Sequence, residues 1–178
     1  MRRLTESYWP ADTTEPLVDM TVGDLLRLAA EATPARTALV EGSPDPAGRR
    51  RWTYAEVLAG AESAAGAILA VFEPGDRVAV WAPNIPEWVF LEMAAGLAGI
   101  VLVTVNPADR PAELAYVLGQ SRAAGIFYTP EYRGNPMQAS LEEVRPGLPA
   151  LRHSVSFAEW ESFVASGPVD ADLPVVDP

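Results

Sequence analysis

Arg133 is the side chain of this sequence best placed to do chemistry. It follows a short apolar segment, Gly125 to Tyr128, that reads as a strand, so it stands at the carboxyl edge where open α/β sheets take ligands. A guanidinium there could grip a phosphate through two parallel hydrogen bonds. A solvated surface arginine is the competing reading. His153 is the single histidine, and no neighbouring Ser or Cys completes a hydrolase motif, so it reads as structural. Asp170, Asp172 and Asp177 fall in a Pro-rich stretch and read as solvated carboxylates rather than metal ligands. Trp52, Trp81 and Trp88 read as core or interface packing before they read as walls of a substrate site.

Composition removes several classes of chemistry. The 178 residues contain no lysine, so a G-x-x-x-x-G-K-[ST] phosphate loop cannot occur within them. No G-x-G-x-x-G follows a strand, which weakens a dinucleotide reading. A phosphorelay receiver, which shares this sheet type, would also need a lysine. With no cysteine there is no disulfide, thiolate nucleophile or sulfur-ligated metal, and a cytoplasmic setting fits. A net charge of −11 repels phosphate backbones, and Arg49–Arg51 is the only arginine cluster, so no nucleic-acid partner is expected. Met1-Arg2-Arg3 opens like a signal peptide, but Leu4, Thr5, Glu6 and Ser7 give it no apolar core. The apolar run from Trp88 to Val105 is interrupted by Glu92 and turned by Gly96 and Gly99, so no membrane span is expected.

The elements that must position Arg133 are legible in the spacing. Val78 to Trp81 and Val101 to Val105 are short, β-branched and apolar on both faces, as parallel strands covered on both sides must be. Between them Asn84 stands where an N-cap belongs, with Pro86 and Glu87 in the first turn and Gly96 and Gly99 near the far end. The unit is βαβ. Upstream, Thr21 with Asp24 marks a helix start whose apolar stripe is Val22, Leu25, Leu26 and Ala29. Ala38 to Glu41 and Arg51-Trp52 read as strands around a turn at Asp45 to Gly48. Thr53 and Glu56 have capping-box spacing before a helical repeat of Tyr54, Val57, Leu58, Ala61, Ala65, Ile68, Leu69 and Phe72, stopped by Pro74-Gly75. Downstream come a helix opened by Pro111 and Glu113, with Leu114, Val117 and Leu118 inward, and another over about Gln138 to Val144. A weaker strand over Leu151 to Ser156 precedes a helical stretch from Phe157 to Val164. The fold class expected is α/β, a doubly wound, mainly parallel sheet with helices on both faces. Residues 1–20 read as an arm carrying Tyr8 and Trp9, residues 21–166 as the α/β unit, and 167–178 as a linker.

The order RWTYAEV, GDRVAVWAPNIPEWVFLEMAAGLAGIVLVTVNP, PAELAYVL and then a short strand followed by PEYRG resembles the adenylate-forming synthetases, and within them the acyl-CoA synthetase branch. The likeness covers roughly residues 17 to 178, with Gly75 to Pro107 its most specific part. It implies an incomplete N-terminal part of a larger synthetase fold. It also implies the activity of that family: a carboxylic acid, ATP and Mg²⁺ give an acyl-adenylate and pyrophosphate, and the acyl group then passes to the thiol of coenzyme A. The family's lysine-ended phosphate loop, its ribose-binding Asp and its mobile C-terminal lysine follow the matched region. The resemblance therefore implies a linker at Leu173 to Pro178 leading toward that loop, and a chain inactive alone. Arg133 is similar in position to an arginine used at the coenzyme A nucleotide. Thr53-Tyr54, Glu56, Gly75-Asp76, Asn84, Pro86 and Glu87 match architectural positions. Ala108-Asp109 after Pro107 departs from the family, which usually has an aromatic residue two or three positions after its Asn-Pro.

Two other readings stand beside this one. A non-catalytic α/β interaction module would pair with another chain, such as a complementing C-terminal segment, or with itself through exposed sheet edges. A small nucleotide-binding regulator of flavodoxin-like type is the third.

Overall fold

The computed structural model describes residues 7–14 and 18–178; the basic start at Met1-Arg2-Arg3 lies outside the described residues. Residues 7–14 and 18–20 form no helix or strand, and Tyr8 and Trp9 are exposed. The first helix, α1, spans Val22–Ala32 and starts from a capping box in which Thr21 Oγ1 accepts the Asp24 N–H at 3.0 Å. Strands β1 (Thr37–Val40) and β2 (Arg51–Thr53) pair antiparallel as a separate two-stranded sheet, joined through a 3₁₀ turn at Pro46–Gly48. Helix α2 (Tyr54–Leu69) opens on a second capping box, with the Thr53 N–H donating to the Glu56 carboxylate at 2.7 Å.

The main sheet contains β3 (Arg77–Trp81), β4 (Val101–Val105), β5 (Gly125–Tyr128) and β6 (His153–Ser156) in the order β4-β3-β5-β6, all parallel. Helices α3 (Pro86–Ala98), α4 (Pro111–Ser121), α5 (Met137–Val144) and α6 (Trp160–Ala165) follow these strands in turn. Alternation along the strands divides the core into two layers. Val78, Val80 and Phe127 point into a layer with α1, α2, α3 and α6, whereas Ala79, Trp81, Ile126 and Tyr128 point into one with α4 and α5. The fold is α/β and doubly wound, as expected; β3 is buried on both faces, whereas β4, expected to be covered likewise, is the sheet edge, with Val101 and Thr104 exposed because no strand flanks it on one side.

Three local expectations are corrected. Asn84 does not cap α3: Ile85 does, with an extended backbone and no side-chain hydrogen bond, because Pro86 at the first helical position presets the turn and has no N–H to satisfy. The buried stripe of α1 is Gly23, Leu26 and Ala30, while Val22, Leu25 and Leu28 are exposed. Gly23 sits there because a Cβ would lie 2.9 Å from Leu97 Cδ2, so the helices meet backbone to side chain. The α2 repeat also stops at Leu69, short of Pro74, and Phe72 enters the core from the following turn. Residues 167–178 form no helix or strand, yet they lie along the α2–α3 surface. A Cβ on Gly167 would be 2.6 Å from the Ala67 nitrogen, Ala171 Cβ faces Gly66, and Leu173 packs on the core.

Candidate functional site

β3 leads into α3 on one layer and β5 into α5 on the other, so the carboxyl ends of these adjacent strands form the switch point at which sheets of this class take ligands. Three loops meet at that edge. The β4–α4 loop is a tight turn in which the Asp109 N–H donates to the Asn106 carbonyl at 2.9 Å and the Ala108 N–H to Asn106 Oδ1 at 3.0 Å. The indole of Trp81, fully buried at the end of β3, donates from Nε1 to the Asn106 carbonyl at 2.8 Å. The Thr129 N–H donates to the Trp81 carbonyl at 3.2 Å, which ties the end of β5 to the end of β3.

Arg133 stands on the third loop. Tyr132 and Asn135 exchange backbone hydrogen bonds of 3.1 and 2.8 Å, and the two residues between them, Arg133 and Gly134, both have positive φ, 47° and 77°. That is a two-residue turn of the primed type, which glycine relieves at its second position and Arg133 must adopt against its Cβ. The Arg133 guanidinium is exposed and lies over the Tyr132 ring, 5.1 Å from its centroid, with no ion pair among the described residues. Asn135, 6% exposed, then crosses to the β4–α4 loop: Nδ2 donates to the Pro107 carbonyl at 3.0 Å and to the Asp109 carbonyl at 3.1 Å.

On the opposite layer a cleft of ≈ 390 Å³ opens between Glu87, at the start of α3, and residues Phe157 to Ser162. Phe157, Trp160 and Phe163 pack on Phe127 with centroids 5.1–6.1 Å away, which holds α6 to the sheet. Glu87, Glu159 and Glu161 make this cleft acidic. Arg50 answers part of that charge: it bonds Glu41 at 2.8 Å and Glu87 at 3.1 Å and rests 5.2 Å above Trp52. Hydrogen bonding, to Glu41 first and then Glu87, pushes the Arg50 pKa up against the opposing effect of burial. Burial raises the Tyr128 hydroxyl, with Glu142 and Glu159 adding to it. Burial also raises Asp109, and Glu113 pushes in the same direction.

The structure keeps the sequence candidates apart. Arg133 is at the carboxyl edge; His153 is at the opposite, amino end of β6, packed edge-on against Phe72 with centroids 5.3 Å apart. Asp170, Asp172 and Asp177 lie in the extended terminal segment, and no group of three His, Asp or Glu able to hold a metal occurs among the described residues. Trp52 packs edge-on against Phe90 at 5.7 Å, so it and Trp81 are packing residues. Sequence reasoning missed Asn135. Its signal was the Gly134-Asn135-Pro136 run, a turn marker whose side-chain reach spacing does not reveal.

The chain matches the AMP-binding enzyme family over residues 26–173. It is 32% identical over 173 residues to the mitochondrial medium-chain acyl-CoA ligase ACSF2 of Mus musculus, covering 94% of this chain and 27% of that protein. The chain thus spans about a quarter of the length of the curated relatives it matches. Among solved structures, the inhibitor-bound N-terminal domain of FACL13 from Mycobacterium tuberculosis superposes with a TM-score of 0.75 at 26% identity, covering 88% of this chain and 37% of that one. The long-chain-fatty-acid-CoA ligase FadD1 of Archaeoglobus fulgidus shares the fold with a TM-score of 0.82 at 18% identity, covering 97% of this chain and 35% of that one. Among the described residues no helix is long and apolar enough to cross a membrane. The family match runs over residues 26–173, about five-sixths of the length, and the chain belongs to the AMP-binding enzyme family.

Proposed function

We propose that this chain is the N-terminal scaffold of an ATP-dependent acyl-CoA synthetase, which joins a carboxylic acid to coenzyme A through an acyl-adenylate, and that these 178 residues alone adenylate nothing. The family match across residues 26–173, with an acyl-CoA ligase 32% identical over nearly the whole chain, carries this reading. The residues present do not fit Mg²⁺ and a triphosphate by themselves. The sequence has no lysine, the described residues hold no carboxylate or imidazole trio, and the carboxyl-edge cleft is acidic, which repels polyphosphate. Charge developing on phosphorus needs fixed cations and donors, each worth ~10²–10³ in rate. Coenzyme A is met by one residue, Arg133, whose exposed guanidinium can pair with a nucleotide phosphate.

ATP–pyrophosphate exchange with the pure chain is the test: no turnover above background is expected, and turnover would overturn the inactive-scaffold reading. Co-expression with the remaining portion of a related ligase should restore acyl-CoA formation. A cytoplasmic location goes with the cysteine-free composition and is checked by fractionation. One further observation favours an interaction module as the second reading: β4 is a sheet edge with Val101 half-exposed, and α1 exposes Val22, Leu25 and Leu28. Concentration-dependent self-association in light scattering, without any ligase activity after complementation, would favour that reading instead.

A further inference from the structure

Asn135 is more than a turn residue. Its Nδ2 spans two carbonyls of the β4–α4 loop, while its backbone closes the turn that carries Arg133. One side chain thus joins two of the three loops at the carboxyl edge. Its amide orientation follows from its partners, since both are carbonyl acceptors. Oδ1 is then left buried without a partner, the one such side-chain atom among the described residues. An amide placed for its own hydrogen-bond balance would not leave its acceptor unmet. Such violations collect where function sets the geometry.

We propose that Asn135 is a positioning residue, whose amide locks the Tyr132–Asn135 turn onto the β4–α4 loop so that Arg133 is presented at the carboxyl edge to an anionic ligand group. This rests on the reading above in taking that group as a phosphate of coenzyme A. Without the two amide bonds, the turn loses its anchor, its Tyr132–Asn135 backbone pair opens more often, and the guanidinium samples directions away from the edge.

The experiment compares the full chain with Arg133→Ala, Asn135→Ala, Asn135→Asp and the Arg133→Ala/Asn135→Ala double variant. Coenzyme A binding is measured by calorimetric titration, and amide hydrogen exchange by NMR. Arg133→Ala should weaken binding by about tenfold or more, as loss of a charge-assisted pair does. Asn135→Ala should weaken it comparably, and the double variant should bind no more weakly than Arg133→Ala alone. The Tyr132 and Asp109 amides should lose protection together, with Val80 and Phe127 unchanged. A folded Asn135→Ala that binds as tightly as wild type, or additive losses in the double variant, overturns the positioning role. Should Asn135→Ala not fold, the near-isosteric Asn135→Asp, which lacks the donor, is judged by the same criteria. If wild type does not bind coenzyme A, the Arg133 assignment falls. The exchange data then decide alone: joint loss of protection supports the link, and unchanged protection overturns it.

Discussion

Gly125→Ala puts the packing beneath the site under direct test. Gly125 opens β5, the strand that delivers Tyr128 and Thr129 to the carboxyl edge. A Cβ at Gly125 would lie 2.2 Å from Cζ and 2.5 Å from Cε1 of Phe72. That ring cannot swing away freely, since Phe72 is 3% exposed and is braced edge-on by His153. Overpacking of this kind costs about 1–3 kcal/mol, offset in part by the roughly 0.4–1 kcal/mol that Ala gains over Gly in the unfolded chain. A net loss of about 1–2 kcal/mol should lower Tm by about 2–8 °C in a chain of this length. Calorimetric melts of wild type, Gly125→Ala, Phe72→Leu and the double variant form the cycle. With the ring gone, Gly125→Ala should be neutral or stabilising. An equal cost in both backgrounds, or no cost in wild type, would refute the argument that this contact excludes a side chain from the start of β5.

Other substitutions probe other parts of the account. Leu26→Ala should cost about 2–4 kcal/mol by thermal melt, while Leu25→Glu and Leu28→Glu should stay within about 0.5 kcal/mol, because only Leu26 faces the core. Thr53→Ala removes an N-cap and should cost about 1 kcal/mol at neutral pH. Hydrogen bonds from Thr53 lower the Glu56 pKa, so its contribution is present above the unfolded carboxylate range and lost as pH falls through the lower folded value. The Thr53→Ala deficit should therefore shrink in acid melts. Asp109 has the opposite sign: burial raises its pKa, so its charged form opposes folding near neutrality and that opposition fades as pH falls through the raised value. Asp109→Asn should raise Tm slightly at pH 7, with the gain disappearing in acid.

Much of this architecture is legible in the sequence, and the reasons are local. The runs at Val78 to Trp81 and Val101 to Val105 announce parallel strands because both faces are apolar, though only the first is buried, since β4 lies at the sheet edge; both capping boxes follow from spacing alone. Local rules failed where partners were distant. The α1 stripe was misread because Gly23, which carries no hydropathy signal, is the point of closest approach to Leu97. Asn84 has the residue type of a cap, but Pro86 at the first helical position makes Ile85 the N-cap. Composition marked residues 167–178 as lacking secondary structure but could not show that Gly167 and Leu173 fit against α2 and the core. At the site, Arg133 was visible as a charge after a strand. Asn135 was not, because its partners Pro107 and Asp109 are 28 and 26 residues away.

We propose this chain as the scaffold of a carboxylate-activating ligase, with the adenylating groups supplied from outside these 178 residues. Fusing the chain in place of the matching stretch of mouse ACSF2, and assaying acyl-CoA formation from ATP, a medium-chain acid and coenzyme A, tests it most directly. The fusion should turn over and the chain alone should be silent. A folded fusion with no ligase activity, or an isolated chain that makes acyl-CoA, would contradict it.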